Sequence, residues 1–271
     1  MTLTTDEIAE VTRHNVEVWD RCAPTYADGF EALTGGAIDV LLDLAGVGRG
    51  TALLDIGTGP GTLIGPALAR GAVVRAVDVA PRMVEEARRR NPGVEVDLAD
   101  AATLPVADGT VDAVTLGFCL HHTGDPTTVL AEVHRVLRPG GRLSLAVWAP
   151  MEELEAFGVG FGAVTSVLPP GDDKPPAQPP TLGDTPDAHA DLLADAGFVQ
   201  PMARRLPLSW PLADGAALFD GFDRFIGLGG QPDDVRDRIR TRIDELVRER
   251  AGADGVARLA NPAIVAAAKR P

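Results

Sequence analysis

Short apolar runs alternate with stretches of helical spacing along the chain, and this alternation predicts its architecture. Runs at 52–56, 73–77, 94–98, 111–116 and 142–147 read as buried strands. The helical patterns between them call for a parallel sheet of α/β type. The helix after the fourth run is sharply delimited. Asp125 can cap it, Pro126 suits its first position, and Val129, Val133, Val136 and Leu137 share a face before Arg138-Pro139-Gly140-Gly141 ends it. Upstream, Ile8, Val11, Val18, Trp19 and Cys22 lie loosely at helical spacing, and a second apolar helix is expected over 38–44. Both could cover the sheet edge or a pocket. Downstream, the proline-rich stretch 168–181 reads as a surface loop. Thr185-Pro186 opens another helix that ends at Gly197, 198–210 contains a strand, and a last strand lies around 264–267. Between them, 232–250 is an amphipathic helix with Val235, Ile239, Ile243, Leu246 and Val247 on one stripe.

Composition narrows the picture. A chain of 271 residues with 45% hydrophobic content can bury a substantial core and fits one large domain over 1–271 better than two small ones. Its formal charge of −14 would repel a phosphate backbone over most of the surface, so no nucleic-acid partner is expected. Arg88-Arg89-Arg90, which follows Glu85 and Glu86, reads as the basic end of a helix. Cys22 and Cys119 form neither a disulfide framework nor a zinc motif, so no metal is expected and a reducing cytoplasm fits. The first residues show no basic segment followed by an apolar run, and no apolar stretch reaches membrane-spanning length.

The chemistry begins where the first strand breaks. In Leu53-Leu54-Asp55-Ile56-Gly57-Thr58-Gly59-Pro60-Gly61, three glycines at alternate positions permit a tight turn and a close backbone approach to a ligand, with a helix N-terminus just beyond. Dinucleotide and phosphate sites use the same device. Asp78 follows at the end of the second strand, 23 residues beyond Asp55. A carboxylate there can accept two hydrogen bonds from a ribose diol, or it can cap the helix starting near Pro81. Asp100-Ala101, followed by Leu104-Pro105, reads as a third-strand loop offering a carboxylate and a backbone amide to an adenine edge.

With Leu120-His121-His122, Asp125-Pro126 and Leu137-Arg138-Pro139-Gly140-Gly141, these motifs stand in an order that resembles the class I S-adenosylmethionine-dependent methyltransferases. The likeness is to the small-molecule group that includes the ubiquinone and menaquinone biosynthesis enzymes, and it spans roughly residues 50 to 150. It implies a Rossmann-like three-layer sandwich: a mostly parallel seven-stranded sheet with an antiparallel last strand. Cover helices would occupy 1–48, the cofactor-binding core 49–150, and the rest of the sheet, with a helical lid insertion at 212–251, residues 151–271. It also implies S-adenosyl-L-methionine as cofactor. Asp55, Gly57, Gly59 and Gly61 would hold the methionine part, Asp78 the ribose hydroxyls, Val79 or Met83 the adenine face, and Asp100 with Ala101 the adenine edge. Gly117 and Phe118 would lie beside the sulfonium. Thr58 stands where many relatives have cysteine, a change that backbone groups absorb. Tyr26, the only tyrosine, either folds over the cofactor carboxylate or packs as an ordinary aromatic.

A sulfonium methyl is already activated, so such a protein must chiefly align a nucleophile, exclude water and, for weakly acidic acceptors, remove a proton. His122 and His121 follow the fourth strand at the edge where ligands bind in such sheets, and they are the first base candidates; His14 on the N-terminal helix is another. Phe219, Phe222, Phe225 and Ile226 in the insertion either form an apolar lid or pack the added helices onto the core. The expected activity is methyl transfer to a small molecule at oxygen, nitrogen or carbon, in secondary or quinone metabolism. Two alternatives stay open: a cofactor-binding protein or cyclisation catalyst without methyl transfer, and a nicotinamide-dependent oxidoreductase. Sequence is silent on oligomeric state.

Overall fold

The computed structural model describes residues 3–27, 29–168 and 181–271; most of the proline-rich stretch, 169–180, lies outside the described residues. The chain opens with α1 (Thr5–Cys22), α2 (Glu31–Thr34) and α3 (Ile38–Leu44). The alternating core follows: β1 (Ala52–Ile56), α4 (Ile64–Ala69), β2 (Val73–Asp78), α5 (Pro81–Arg90), β3 (Glu95–Leu98), β4 (Val111–Gly117), α6 (Pro126–Val136) and β5 (Leu137–Trp148). The remainder comprises α7 (Glu155–Val167), α8 (Pro186–Asp195), β6 (Val199–Leu206), β7 (Ser209–Leu212), α9 (Ala216–Phe225), α10 (Asp233–Arg248), β8 (Ala257–Ala260) and β9 (Ala263–Lys269).

Seven strands form one sheet in the order β3-β2-β1-β4-β5-β9-β6. β9 enters antiparallel between β5 and β6, so the expected antiparallel last strand is present. Its first six residues are all buried, as a strand covered on both faces requires. The sheet separates two apolar clusters. Leu53 faces one, with α3, α4 and α5; Leu54 faces the other, with α6 and α8. This is the three-layer Rossmann-like sandwich.

Local chemistry sets the element ends. Thr4 and Glu7 form a capping box at the start of α1. Asp125 caps α6 by accepting from the Thr128 N–H at 3.1 Å. The Arg138–Gly141 stretch behaves differently from the turn expected of it. Leu137 already pairs with Val111, the register then shifts to Ala113 with Arg142, and the four residues between bulge out of β5. α7 and the separate β7–β8 ribbon are additions to the predicted set. Among the described residues, no helix is long and apolar enough to cross a membrane.

Candidate active site

The C-terminal ends of β1, β2 and β4 open into a cleft of about 140 Å³, roofed by one face of α1. A smaller recess adjoins it, and Tyr26, Gly57, Gly59, Gly117 and Phe118 line both. The three glycines of the β1 turn have separate tasks. At Gly59, φ is +56° and a Cβ would meet nothing within 4 Å, so this residue faces the open cleft. At Gly57, φ is +67° and a Cβ would lie 2.4 Å from Cys119 Sγ, so the missing side chain lets the β1 and β4 ends approach each other. Gly61, which the resemblance implied would help hold the methionine part, lies outside the lining of both recesses. Its absent Cβ makes room for Asn91 of the α5 cap, whose amide donates to the Gly61 carbonyl at 3.3 Å.

Two buried carboxylates stand at the site, Asp78 in the cleft and Asp55 in the smaller recess. Asp78 accepts from the Gly59 N–H at 2.8 Å and from the Ala80 N–H at 2.9 Å, thereby tying the glycine turn to the start of α5. Burial raises its pKa, and those backbone donors oppose the rise. Asp55 accepts from the Thr115 hydroxyl at 2.7 Å, and burial pushes it up to about 6 against that bond. In the smaller recess, Thr58 lies beside it, and the buried Thr62 hydroxyl has no hydrogen-bond partner. Val79, Met83, Asp100 and Ala101 continue the lining beyond Asp78. Asp100 accepts from the Ala102 N–H at 2.9 Å, which fixes the loop after β3.

Phe118 closes the β4 side. Its φ of +55° is uncommon for a residue with a side chain. The conformation is held by a 2.8 Å bond from its N–H to the Ala146 carbonyl, and its ring stacks on Trp148 at 4.1 Å. Tyr26 bridges the two recesses; its hydroxyl is 3.3 Å from Thr34 Oγ1, and burial pushes its pKa up to about 12.

The three histidines part company. His122 lines the cleft, packs edge-on against Trp19 at 5.1 Å, and is pushed by burial down to about 4. His121 lies behind it, outside the lining, with both ring nitrogens buried and unpartnered; burial holds its pKa well below the ordinary value. His14 is corrected outright. It is exposed on α1, whereas the cleft face of that helix carries Ile8, Thr12, Asn15 and Trp19. Their spacing of four, three and four residues defines one helical stripe, which His14 misses. Asn15 pins this roof by donating to the His122 carbonyl at 2.7 Å. The insertion is not a lid over the cleft. Phe219 and Phe222 are core residues, Phe225 packs on Trp19 behind the roof, and Ile226 packs against the core. Sequence reasoning passed over Asn15, Thr62 and Cys119; only the stripe on α1 carried a signal for one of them.

Residues 54–145 match the family model described as a methyltransferase domain. That stretch resembles a methyltransferase domain. The demethylmenaquinone methyltransferase of Beutenbergia cavernae is 40% identical to this chain over 121 residues, 43% of this chain and 50% of that one. An uncharacterized 37.1 kDa protein from a transposon of Streptomyces fradiae is 46% identical over 110 residues, 38% of this chain and 32% of that one. The chain thus spans half or less of the length of these two curated relatives. A Burkholderia thailandensis 1,6-didemethyltoxoflavin-N1-methyltransferase, solved with S-adenosylhomocysteine and 1,6-didemethyltoxoflavin, shares the fold at TM-score 0.58 and 20% identity, covering 100% of this chain and 92% of that one. The [4+2]-cyclase SpnF shares it at TM-score 0.52 and 19% identity, covering 86% of this chain and 79% of that one.

Proposed function

We propose that this chain works as one S-adenosylmethionine-dependent methyltransferase unit that transfers a methyl group to a small-molecule acceptor. The observation that carries the reading is the succession of groups along the cleft and its adjoining recess: Thr62, Asp55 and Gly59 at one end, Asp78 in the middle, Asp100 and Ala101 at the other. The residues suit the cofactor. The unpartnered Thr62 hydroxyl and the Asp55 carboxylate are an acceptor-rich seat for an amino-acid ammonium group. Asp78 keeps lone pairs for a diol after its two backbone bonds. Met83 and Val79 offer an apolar surface to a purine ring.

When bound, the sulfonium cofactor supplies an activated methyl group. The chain's own work is to hold the two reactants in line and keep water out. Tyr26, Phe118 and Trp19 line the cleft with rings, and α1 covers it. Of the three histidines, only His122 lines the cleft, and its burial makes it a neutral, weak base. Alignment and desolvation therefore carry the rate in this reading, with His122 orienting or accepting a proton from an acidic acceptor only. The names of the demethylmenaquinone relatives support a quinone-like acceptor.

Calorimetric titration with S-adenosylmethionine, with nicotinamide dinucleotides as controls, tests the proposal. Saturable binding of the sulfonium compound alone supports it. Binding of a dinucleotide instead, or of neither, overturns it.

A further inference from the structure

The opposite end of the sheet carries a second, chemically different recess. It lies where the loop before β1 meets the bulge of β5, has a volume of about 290 Å³, and is lined by Arg49, Arg138 and Arg142 together with glycine backbone. The one carboxylate there, Asp112, is already engaged. It pairs with Arg138 and accepts from the Ala52 N–H at 2.8 Å. Arg49 and Arg142 have no ion pair among the described residues, so the recess keeps an excess of two positive charges in a chain whose formal charge is −14. The nearest acidic residues on α3, Asp39 and Asp43, are held by Arg70.

The recess is also shaped. Gly46 sits at φ +69°, and a Cβ on it would lie 3.4 Å from Arg142 Cδ and Nη1; the Arg142 side chain therefore lies across the bare loop. The loop is closed on itself by Gly48 N–H to Thr51 Oγ1 at 3.0 Å and tied to the end of α4 by Gly50 N–H to the Gly71 carbonyl at 2.8 Å. On the far side, the Gly140 N–H donates to the Arg270 carbonyl and the Arg270 N–H to the Gly141 carbonyl, each at 2.9 Å, which anchors the bulge that carries Arg138. Lys269, opposite Arg142 in the β5–β9 register, adds a further cation to this end.

We propose that this recess binds a small oligophosphate anion. Guanidinium groups match phosphate oxygens in bidentate pairs, and two that lack protein partners can each supply one. A chain of linked phosphates spans separate guanidinium groups as orthophosphate cannot. A nucleic-acid backbone fits poorly, because the acidic surface around so small a recess repels a long polyanion.

The test is calorimetry on the full chain at low ionic strength with inorganic tripolyphosphate, orthophosphate and citrate. Wild type is expected to bind one tripolyphosphate at least tenfold more tightly than orthophosphate or citrate. The double substitution Arg49→Gln with Arg142→Gln, at exposed positions remote from the cleft, is expected to weaken that binding at least tenfold while S-adenosylmethionine binding and the melting temperature stay as in wild type. Arg49→Gln alone provides a milder second variant, expected to fall between the two. Absence of saturable tripolyphosphate binding, binding that survives the double substitution, or equal affinity for citrate would each overturn the proposal.

Discussion

Asp55 is held in a place that costs the apo protein stability, and the cost can be measured. Its carboxyl is 2% exposed and has the Thr115 hydroxyl as donor. Burial raises its pKa from 3.8 to about 6. The folded state therefore binds a proton more readily than the unfolded state between those values. Stability contributed by the neutral acid is full below 3.8 and is lost as the pH rises through 6. At about 1.4 kcal/mol per pH unit, the ionised carboxylate costs roughly 3 kcal/mol above pH 6. Asp55→Asn keeps the shape and an oxygen for Thr115 but removes the charge. In urea denaturation without ligand, the variant should exceed wild type by up to about 3 kcal/mol at pH 7.5 and by little at pH 4. The same substitution should weaken S-adenosylmethionine binding, because the seat for its ammonium loses its anion. A stability difference that does not change between pH 4 and pH 7.5 would refute the argument, since a packing effect has no such pH dependence.

Asp78→Ala removes an acceptor for two ribose hydroxyls, each bond worth about 1.5 to 3 kcal/mol, so affinity for S-adenosylmethionine should fall by roughly a hundredfold or more by calorimetry; a folded variant with wild-type affinity would remove Asp78 from the site. Gly59→Ala places a methyl group in the open cleft at a φ of +56°, so it should cost about 1–2 kcal/mol of stability and weaken cofactor binding; retained affinity would show that nothing approaches this backbone. His122, pushed to about 4, should leave the maximal rate flat from pH 6 to 8, and His122→Gln should preserve that flat profile. An inflection near 6.5 that vanishes in the variant would instead identify His122 as a general base with an ordinary pKa.

Where local signals sufficed, the sequence was readable. β1, β2 and β4 are mostly apolar runs, and α6 carries both its Asp125 cap and its Pro126 start. The site positions on these elements followed, because a strand end and the turn after it leave little freedom to a side chain. What escaped depends on distant contacts. β7 and β8 are four residues each and about 45 residues apart in sequence, so neither has enough alternation to announce a ribbon. α7 holds Gly158, Gly160 and Gly162, poor helix formers individually; at Gly160 a Cβ would lie 2.4 Å from the Phe222 ring, a packing reason invisible before folding. The aromatic residues of the insertion had the pattern of a buried stripe and became core. His14 failed for a simpler reason: residue type pointed to chemistry, while helical phase pointed away from the cleft.

The distribution of charge along the sheet gives the two ends different chemistry. Asp55, Asp78, Asp100 and Asp125 all border the cleft or its side recess, and no lysine or arginine is among the described residues that line them. The opposite end gathers Arg49, Arg138 and Arg142 around a single engaged carboxylate. A buried carboxylate without a cation is costly in the free protein, as the elevated pKa of Asp55 records. Protonation or a positively charged ligand relieves that cost, so a cationic group entering the cleft gains from these carboxylates. The polarity of the sheet thus suits a cofactor with an ammonium and a sulfonium charge, and because Asp55 and Asp78 are buried, raising ionic strength should weaken S-adenosylmethionine binding only slightly.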